Sequence, residues 1–354
     1  MRTLGWTAFF LGSLFSYLGS ASAVGAPNIL LILVDDQSWN GTSVRMDPNN
    51  PLSKSDYYQT PNLEALAAQG MRFSDAYSAA ALCSPTRAAL LTGRSPAQVR
   101  MTSITVPGYL GEAHDGFALT PEPWAGLEVS QPTLPKQVRA ADPNYYTAHV
   151  GKWHVYPGAT QLGFAKNNSG SAWTPEDPAG AFGWANIAAD YMSESVVANK
   201  PFFIQLDQFA VHAPIVANPA TIAKYQALPP GQIHTDPVYA AFTEDLDTSI
   251  GTLLSRIDQL GIADNTYVIY ASDNGASAGI SNNSPLYSGK NNLWEGGIRV
   301  PLIIRGPGIS PGTVSHVPTS TADLYSTISE LAGNTSLPLG VEGASLTPVL
   351  FNNG

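Results

Sequence analysis

Asn28-Ile29-Leu30-Leu31-Ile32-Leu33-Val34 is an unbroken apolar stretch rich in branched side chains. Without polar alternation, such a stretch predicts a strand covered on both faces. It ends in Asp35-Asp36, two adjacent carboxylates at the strand's C-terminal end. Shorter apolar runs at 145–150, 202–206, 267–270 and 302–304 predict further strands, and 71–77 one more. Helical patterns lie between them. Thr60 is expected to cap a helix that has Pro61 at its first position and Gly70 as its stop. Others are predicted from Cys83, over 132–141, 185–199, 235–260 and 321–332, whereas 40–58, 102–131 and 155–184 read as loops. Strands alternate with helices and no internal repeat interrupts them. The pattern predicts an α/β fold: a mainly parallel central sheet sandwiched by helices.

Length and charge narrow the function. The chain has 354 residues, of which 12% are charged, with a formal net charge of -10. It lacks the basic balance of a nucleic-acid binder. An acidic protein also repels anions at long range, so a sulfate or phosphate site here needs local cations or a metal. Residues 1–23 have the pattern of a signal peptide: Arg2, an apolar stretch over 4–18, and Ala21-Ser22-Ala23 before a cleavage site. An uncleaved anchor is the alternative. The apolar run is short and broken by Gly and Ser, which favours cleavage before Val24. No later stretch has the length of a membrane span. A mature domain over 24–354 is therefore expected to be secreted or periplasmic, with no stable membrane insertion. Asn40-Gly41-Thr42 and Asn167-Asn168-Ser169 match glycosylation sequons.

The candidate chemistry sits at strand ends. Asp35 and Asp36 follow the first strand, and Ser272-Asp273-Asn274-Gly275 follows a later one. Alone, each is equally a polar strand end or a turn. Together, Asp35, Asp36, Asp273 and Asn274 give four oxygen donors suited to Ca²⁺ or Mg²⁺. Lys152 and His154 stand two apart, so an extended segment points them to one face, a fixed cation beside a proton carrier. Cys83, the only cysteine, falls at a helix N-terminus, with Arg87 one turn on. Glu244, Asp245 and Asp247 read as a solvated helix face. His114, Asp115 and Trp124 lie in the excursion over 102–131, where substrate contact and plain solvation are alternatives. Trp124, Trp173 and Trp184 stand in predicted loops, either to stack on sugar rings or to pack beneath the loop.

Cys83-Ser84-Pro85-Thr86-Arg87 is followed by Leu91-Thr92-Gly93-Arg94. Gly151-Lys152-Trp153-His154, Val211-His212-Ala213-Pro214 and Gly289-Lys290 through Trp294-Glu295-Gly296-Gly297-Ile298-Arg299 come in order after it. This series resembles the type I, formylglycine-dependent sulfatases of the alkaline phosphatase superfamily, over nearly all of the mature chain. The resemblance implies that a formylglycine-generating maturation enzyme oxidises Cys83. It implies Arg87, Lys152, His154, His212 and Lys290 as catalytic residues. It also implies a cation on Asp35, Asp36, Asp273 and Asn274, closed by an oxygen on modified Cys83. One hydroxyl of the hydrated aldehyde then attacks sulfur, His212 or Lys290 assists the leaving alcohol, and His154 helps the second hydroxyl expel sulfate. Glu295 and Arg299 are expected to hold their loop together. Sulfated carbohydrate or an aryl sulfate is the implied substrate. The family usually continues into a smaller antiparallel C-terminal subdomain, expected here to be missing or truncated because the chain stops at Gly354. Alternatives are a phosphonate or phosphodiester hydrolase of the same superfamily and an inactive polysaccharide-binding relative.

Overall fold

The structure is a computed structural model that describes residues 25–104, 126–169 and 173–354. The signal segment 1–23 and His114, Asp115 and Trp124 lie outside the described residues. The order begins β1 (Asn28–Val34), α1 (Pro61–Ala68), β2 (Met71–Phe73), β3 (Ala76–Tyr77), α2 (Cys83–Thr92), α3 (Leu134–Ala141), β4 (Tyr146–Gly151) and β5 (Lys166–Asn168). It continues with α4 (Ala181–Val197), β6 (Phe202–Asp207), α5 (Pro219–Gln226), α6 (Pro237–Gln259), β7 (Thr266–Ser272) and α7 (Glu295–Ile298). Last come β8 (Leu302–Arg305), β9 (Thr313–Ser315), β10 (Thr319–Ser320), α8 (Asp323–Leu331) and α9 (Thr347–Leu350).

Eight strands form one sheet in the order β5-β4-β6-β1-β7-β8-β2-β9. The five from β5 to β7 run parallel, whereas β8 is antiparallel to both neighbours. β1 lies at the centre, and its apolar run serves two cores. Leu30, Ile32 and Val34 face the side of α4 and α6, with Trp184, Met192, Phe242 and Ile250. Ile29, Leu31 and Leu33 face α2, α3 and α8, with Leu90, Val138 and Ile328. Both faces are covered, so the strand has no polar alternation. The mainly parallel sheet between helices is the predicted fold class. It brings the carboxyl ends of β1, β4, β6 and β7 to one edge, where open α/β sheets place their sites.

Several local expectations need correction. Residues 71–77 form two short strands in different sheets, not one. Thr60 makes no side-chain cap; its hydroxyl pairs with Ser43 instead. Asp247 of α6 takes over that capping role, accepting from the Asn62 and Leu63 amides at 3.0 and 2.8 Å. Asp245 accepts from the Asn218 amide at 2.6 Å and the Thr221 hydroxyl at 2.7 Å. Both acids are buried, not solvated, because α6 is covered by α1 and α5 as well as by α4. Trp184 is also buried, inside α4 rather than in a loop. Asn40 is buried and donates to the Ser284 carbonyl at 2.6 Å, a poor glycan acceptor in the folded chain.

Candidate active site

Six chain segments deliver the site. Asp36 follows β1 with a left-handed backbone (φ 58°), which Asp tolerates better than most residues, and an oxygen of its carboxylate lies within 4.8 Å of one of Asp35. The Asp35 carboxylate turns to Cys83, whose Sγ donates to Oδ1 at 3.3 Å, and to Lys152 Nζ through Oδ2. Asp36 accepts from Lys290 Nζ at 2.8 Å and Asn274 Nδ2 at 2.6 Å. His212 Nε2 stands 3.8 Å from Asp36. Asp273 and Asn274 follow β7, which pairs with β1 up to Val34↔Ser272, so the two carboxyl-terminal turns lie side by side. The Asp36 amide donates to Asp273 Oδ1 at 3.2 Å.

Cys83 opens α2, and Arg87 follows one turn later, as the spacing predicts. Arg87 is 1% exposed yet fully engaged. Nε and Nη2 donate to Asp273 Oδ2 at 3.1 and 2.8 Å, and Nη1 donates to the Lys152 carbonyl at 2.8 Å. Nη1 also stands 3.0 Å from Asp207 Oδ2. Lys152 Nζ lies 3.6 Å from Cys83 Sγ. Gly151 feeds Lys152 into place with φ 93°, and a Cβ there would meet the Asp207 carbonyl oxygen at 2.1 Å, so only glycine fits. The His154 carbonyl accepts from the Ser84 hydroxyl at 2.8 Å, which ties this segment to α2.

The field follows from burial and these pairings. Burial pushes the Asp35 carboxyl up, but Lys152 and Arg87 outweigh it and hold the group well below the usual carboxylate range. Burial and the charge of Asp35 push Asp273 up, against the pull of Arg87. Burial, Asp273 and Asp35 raise the Cys83 thiol, so an unmodified cysteine is a protonated, weak nucleophile at neutral pH. Burial, Lys152 and Arg87 push His154 down to about 3, leaving a neutral imidazole.

All six expected catalytic residues belong to this neighbourhood: Cys83, Arg87, Lys152 and Lys290 through direct bonds, His212 beside Asp36, and His154 through the fields of Lys152, Arg87 and Asp35. One ligand atom from each of Asp35, Asp36, Cys83 and His212 lies within 4.8 Å of the others, a grouping able to hold a metal ion. Asn274 Oδ1 is buried with no hydrogen-bond partner. An orphaned oxygen beside carboxylates is what a hard cation would satisfy. Glu295 and Arg299 pair at 3.2 Å, and Arg299 lies over the Trp39 ring at 4.5 Å, which ties this end of the loop down. Trp173 is exposed, 6.2 Å from Phe209, whose ring lies 5.1 Å from His212.

Sequence reasoning missed Asp207 and His149. Asp207 ends β6 with 1% exposure and bridges Arg87 to His149, whose Nε2 lies 3.1 Å away. The signal was available, since Asp207 follows a buried strand as Asp35 does.

Residues 27–334 match the sulfatase family. The chain is similar to human N-acetylgalactosamine-6-sulfatase, 32% identical over 379 residues that cover 94% of this chain and 67% of that protein. It is 32% identical to a sulfatase of Formosa agariphila, over 87% of this chain and 68% of that one. Among solved structures it is similar to Ps i-CgsB in complex with k-i-k-neocarrahexaose, with 25% identity and a TM-score of 0.77, covering 93% of this chain and 77% of that one. The chain spans about two thirds of the length of such curated relatives, 64% for the dog N-acetylgalactosamine-6-sulfatase.

Proposed function

Because the chain belongs to the sulfatase family, we propose that its site hydrolyses sulfate esters of carbohydrates, using a formylglycine made from Cys83 and a divalent cation. The observation that carries this is the convergence of Cys83, Lys152, Lys290 and His212 on the Asp35-Asp36 turn, with Arg87 buried behind them. In an acidic protein, these cations supply the local field reversal that an anionic ester needs.

Asp35, Asp36, Asp273 and Asn274 would hold the cation, together with an oxygen on the modified residue 83. Bound Ca²⁺ or Mg²⁺ supplies Lewis-acid polarisation of the sulfate and lowers the pKa of the nucleophile. Formylglycine, as its hydrate, supplies two hydroxyls, one to attack sulfur and one to expel sulfate. A plain cysteine or serine lacks the second.

The remaining roles fall to side chains. Lys152, 3.6 Å from Cys83 Sγ, faces the position of the attacking oxygen and stabilises its charge. Arg87 fixes that end of α2 through Asp273 and Asp207. Burial works against the charge on Lys290, but the Asp36 carboxylate, which accepts from its Nζ at 2.8 Å, holds the ammonium above the ordinary lysine range. Lys290 therefore stays a fixed cation on the sulfate, and the proton for the leaving alcohol comes from His212. His154 is neutral and accepts the proton of the second hydroxyl.

Support for a carbohydrate substrate comes from a relative named N-acetylgalactosamine-6-sulfatase and a neighbour solved with a carra-oligosaccharide. Residues 1–23 act as an export signal, placing the enzyme in the periplasm or outside the cell. Among the described residues, no helix is long and apolar enough to cross a membrane. The test is sulfate release by protein co-expressed with a formylglycine-generating enzyme, with aryl sulfate and aryl phosphate esters side by side. Preferred turnover of the sulfate is expected, with Cys83→Ala and Cys83→Ser inactive. Undiminished activity in either variant, or preference for the phosphate, overturns the proposal.

A further inference from the structure

Arg87 lies directly behind one of the proposed cation ligands. Its Nε and Nη2 both donate to the same oxygen of Asp273, Oδ2, at 3.1 and 2.8 Å. The other oxygen, Oδ1, accepts from the Asp36 amide at 3.2 Å. A guanidinium so close to a ligand carboxylate works against a divalent cation in two ways. It competes for the lone pairs of the oxygen, and its charge repels the ion.

Asp207 offsets that charge from the other side. Its Oδ2 stands 3.0 Å from Arg87 Nη1, and both side chains are 1% exposed, so solvent and salt screen the pair little. Strand pairing sets its place: Asp207 lies opposite Leu33 of β1, two positions before Asp35, and opposite Gly151 of β4, next to Lys152. Its own oxygens are already engaged. Gln205 Nε2 donates to both, at 3.1 and 3.0 Å, and His149 Nε2 lies 3.1 Å from Oδ2. His149 is fixed in turn, with Nδ1 2.8 Å from Asn167 Oδ1 and its ring edge-on to Trp153 at 4.7 Å. With Asp207 in place, one guanidinium charge is divided between two carboxylates. Without it, the whole charge bears on Asp273.

We propose that Asp207 is a positioning residue for the cation site: by taking up part of the Arg87 charge and fixing the guanidinium, it leaves Asp273 available to a divalent cation. Asp207 acts through Arg87, and the inference rests on the proposal that Asp273 binds the cation. Losing a partner one step removed from a metal typically costs ~10–100-fold in metal affinity.

Calorimetric titration of the chelator-stripped protein with Ca²⁺ alone, and then with Mg²⁺ alone, tests it. Wild type and variants are co-expressed with a formylglycine-generating enzyme and matched for aldehyde content at residue 83. Asp207→Asn removes the charge at nearly constant volume, and its Kd for the cation should rise about 10–100-fold. His149→Gln disturbs the same network but keeps the Asp207 charge, so its Kd should stay near that of the wild type. A purely structural role would raise both Kd values in step with lost stability, read by urea denaturation. If the asparagine variant does not fold, Asp207→Ser, also uncharged, takes its place with the same rise expected. Wild-type affinity in the uncharged variant overturns the inference and leaves the cation site standing. So does an equal loss in the uncharged variant and in His149→Gln. A wild-type protein that binds neither Ca²⁺ nor Mg²⁺ overturns the cation site itself, and the inference with it.

Discussion

Replacing Asp207 with Asn removes one charge from beneath Arg87 and changes little volume. In the native chain, Asp207 Oδ2 stands 3.0 Å from Arg87 Nη1 and 3.1 Å from His149 Nε2. Gln205 Nε2 donates to the same carboxylate at 3.0 and 3.1 Å. An asparagine oxygen can serve one of these donors, but its amide then faces another. Removing one partner of a buried ion pair costs roughly 3–5 kcal/mol. Arg87 keeps Asp273 and the Lys152 carbonyl, which places the expected loss near the lower end, about 3 kcal/mol. Urea denaturation of both proteins at pH 7 reads it directly. At ~1.4 °C per kcal/mol for a chain of this length, melting should fall by roughly 4 °C. A loss under about 1 kcal/mol would refute the reasoning, because Arg87 would then draw its stability from Asp273 alone.

Asp247→Ala should free the first turn of α1 and cost about 2 kcal/mol, with faster hydrogen exchange at the Asn62 and Leu63 amides. Exchange unchanged at both amides would count against the capping role. Burial raises Asp245 to about 6, against its hydrogen bonds from Asn218 and Thr221. A carboxyl raised on folding contributes stability that is full below its unfolded pKa near 4 and is lost as pH rises through about 6. The wild-type urea midpoint should therefore fall between pH 4 and 7 more steeply than that of Asp245→Asn; equal slopes would contradict the shift. Stripping the protein with a chelator should abolish sulfate release, and Ca²⁺ or Mg²⁺ should restore it. Full activity in the stripped, metal-free protein would exclude the cation on Asp35, Asp36, Asp273 and Asn274.

The parts of the fold legible in sequence are those where one force dominates. β1 reads clearly because burial on both faces leaves only apolar residues, and its end is marked by the abrupt change to Asp35-Asp36. Of the candidate site, the carboxylates after β1 and β7 are legible as polar strand ends, whereas the expectations for Arg87, His212 and Lys290 come from the family resemblance. What was illegible depends on partners distant in the chain. Asp245 and Asp247 have the polarity of a surface and the burial of a core, and only the approach of α1 and α5 explains it. Thr60 has a capping side chain, yet Asp247, 187 positions later by sequence number, holds the helix start while Ser43 takes the threonine hydroxyl. Trp184 looked like a loop aromatic because α4 begins at Ala181, with no capping side-chain hydrogen bond to mark its start. β3 and β5, two and three residues long, are too short to carry a period of their own.

The measurement that bears most directly on the central claim is mass spectrometry of the peptide containing Cys83, from protein co-expressed with a formylglycine-generating enzyme and a control sulfatase. The account predicts conversion of the thiol to an aldehyde. A cysteine left intact while the control is converted in the same cells would contradict it.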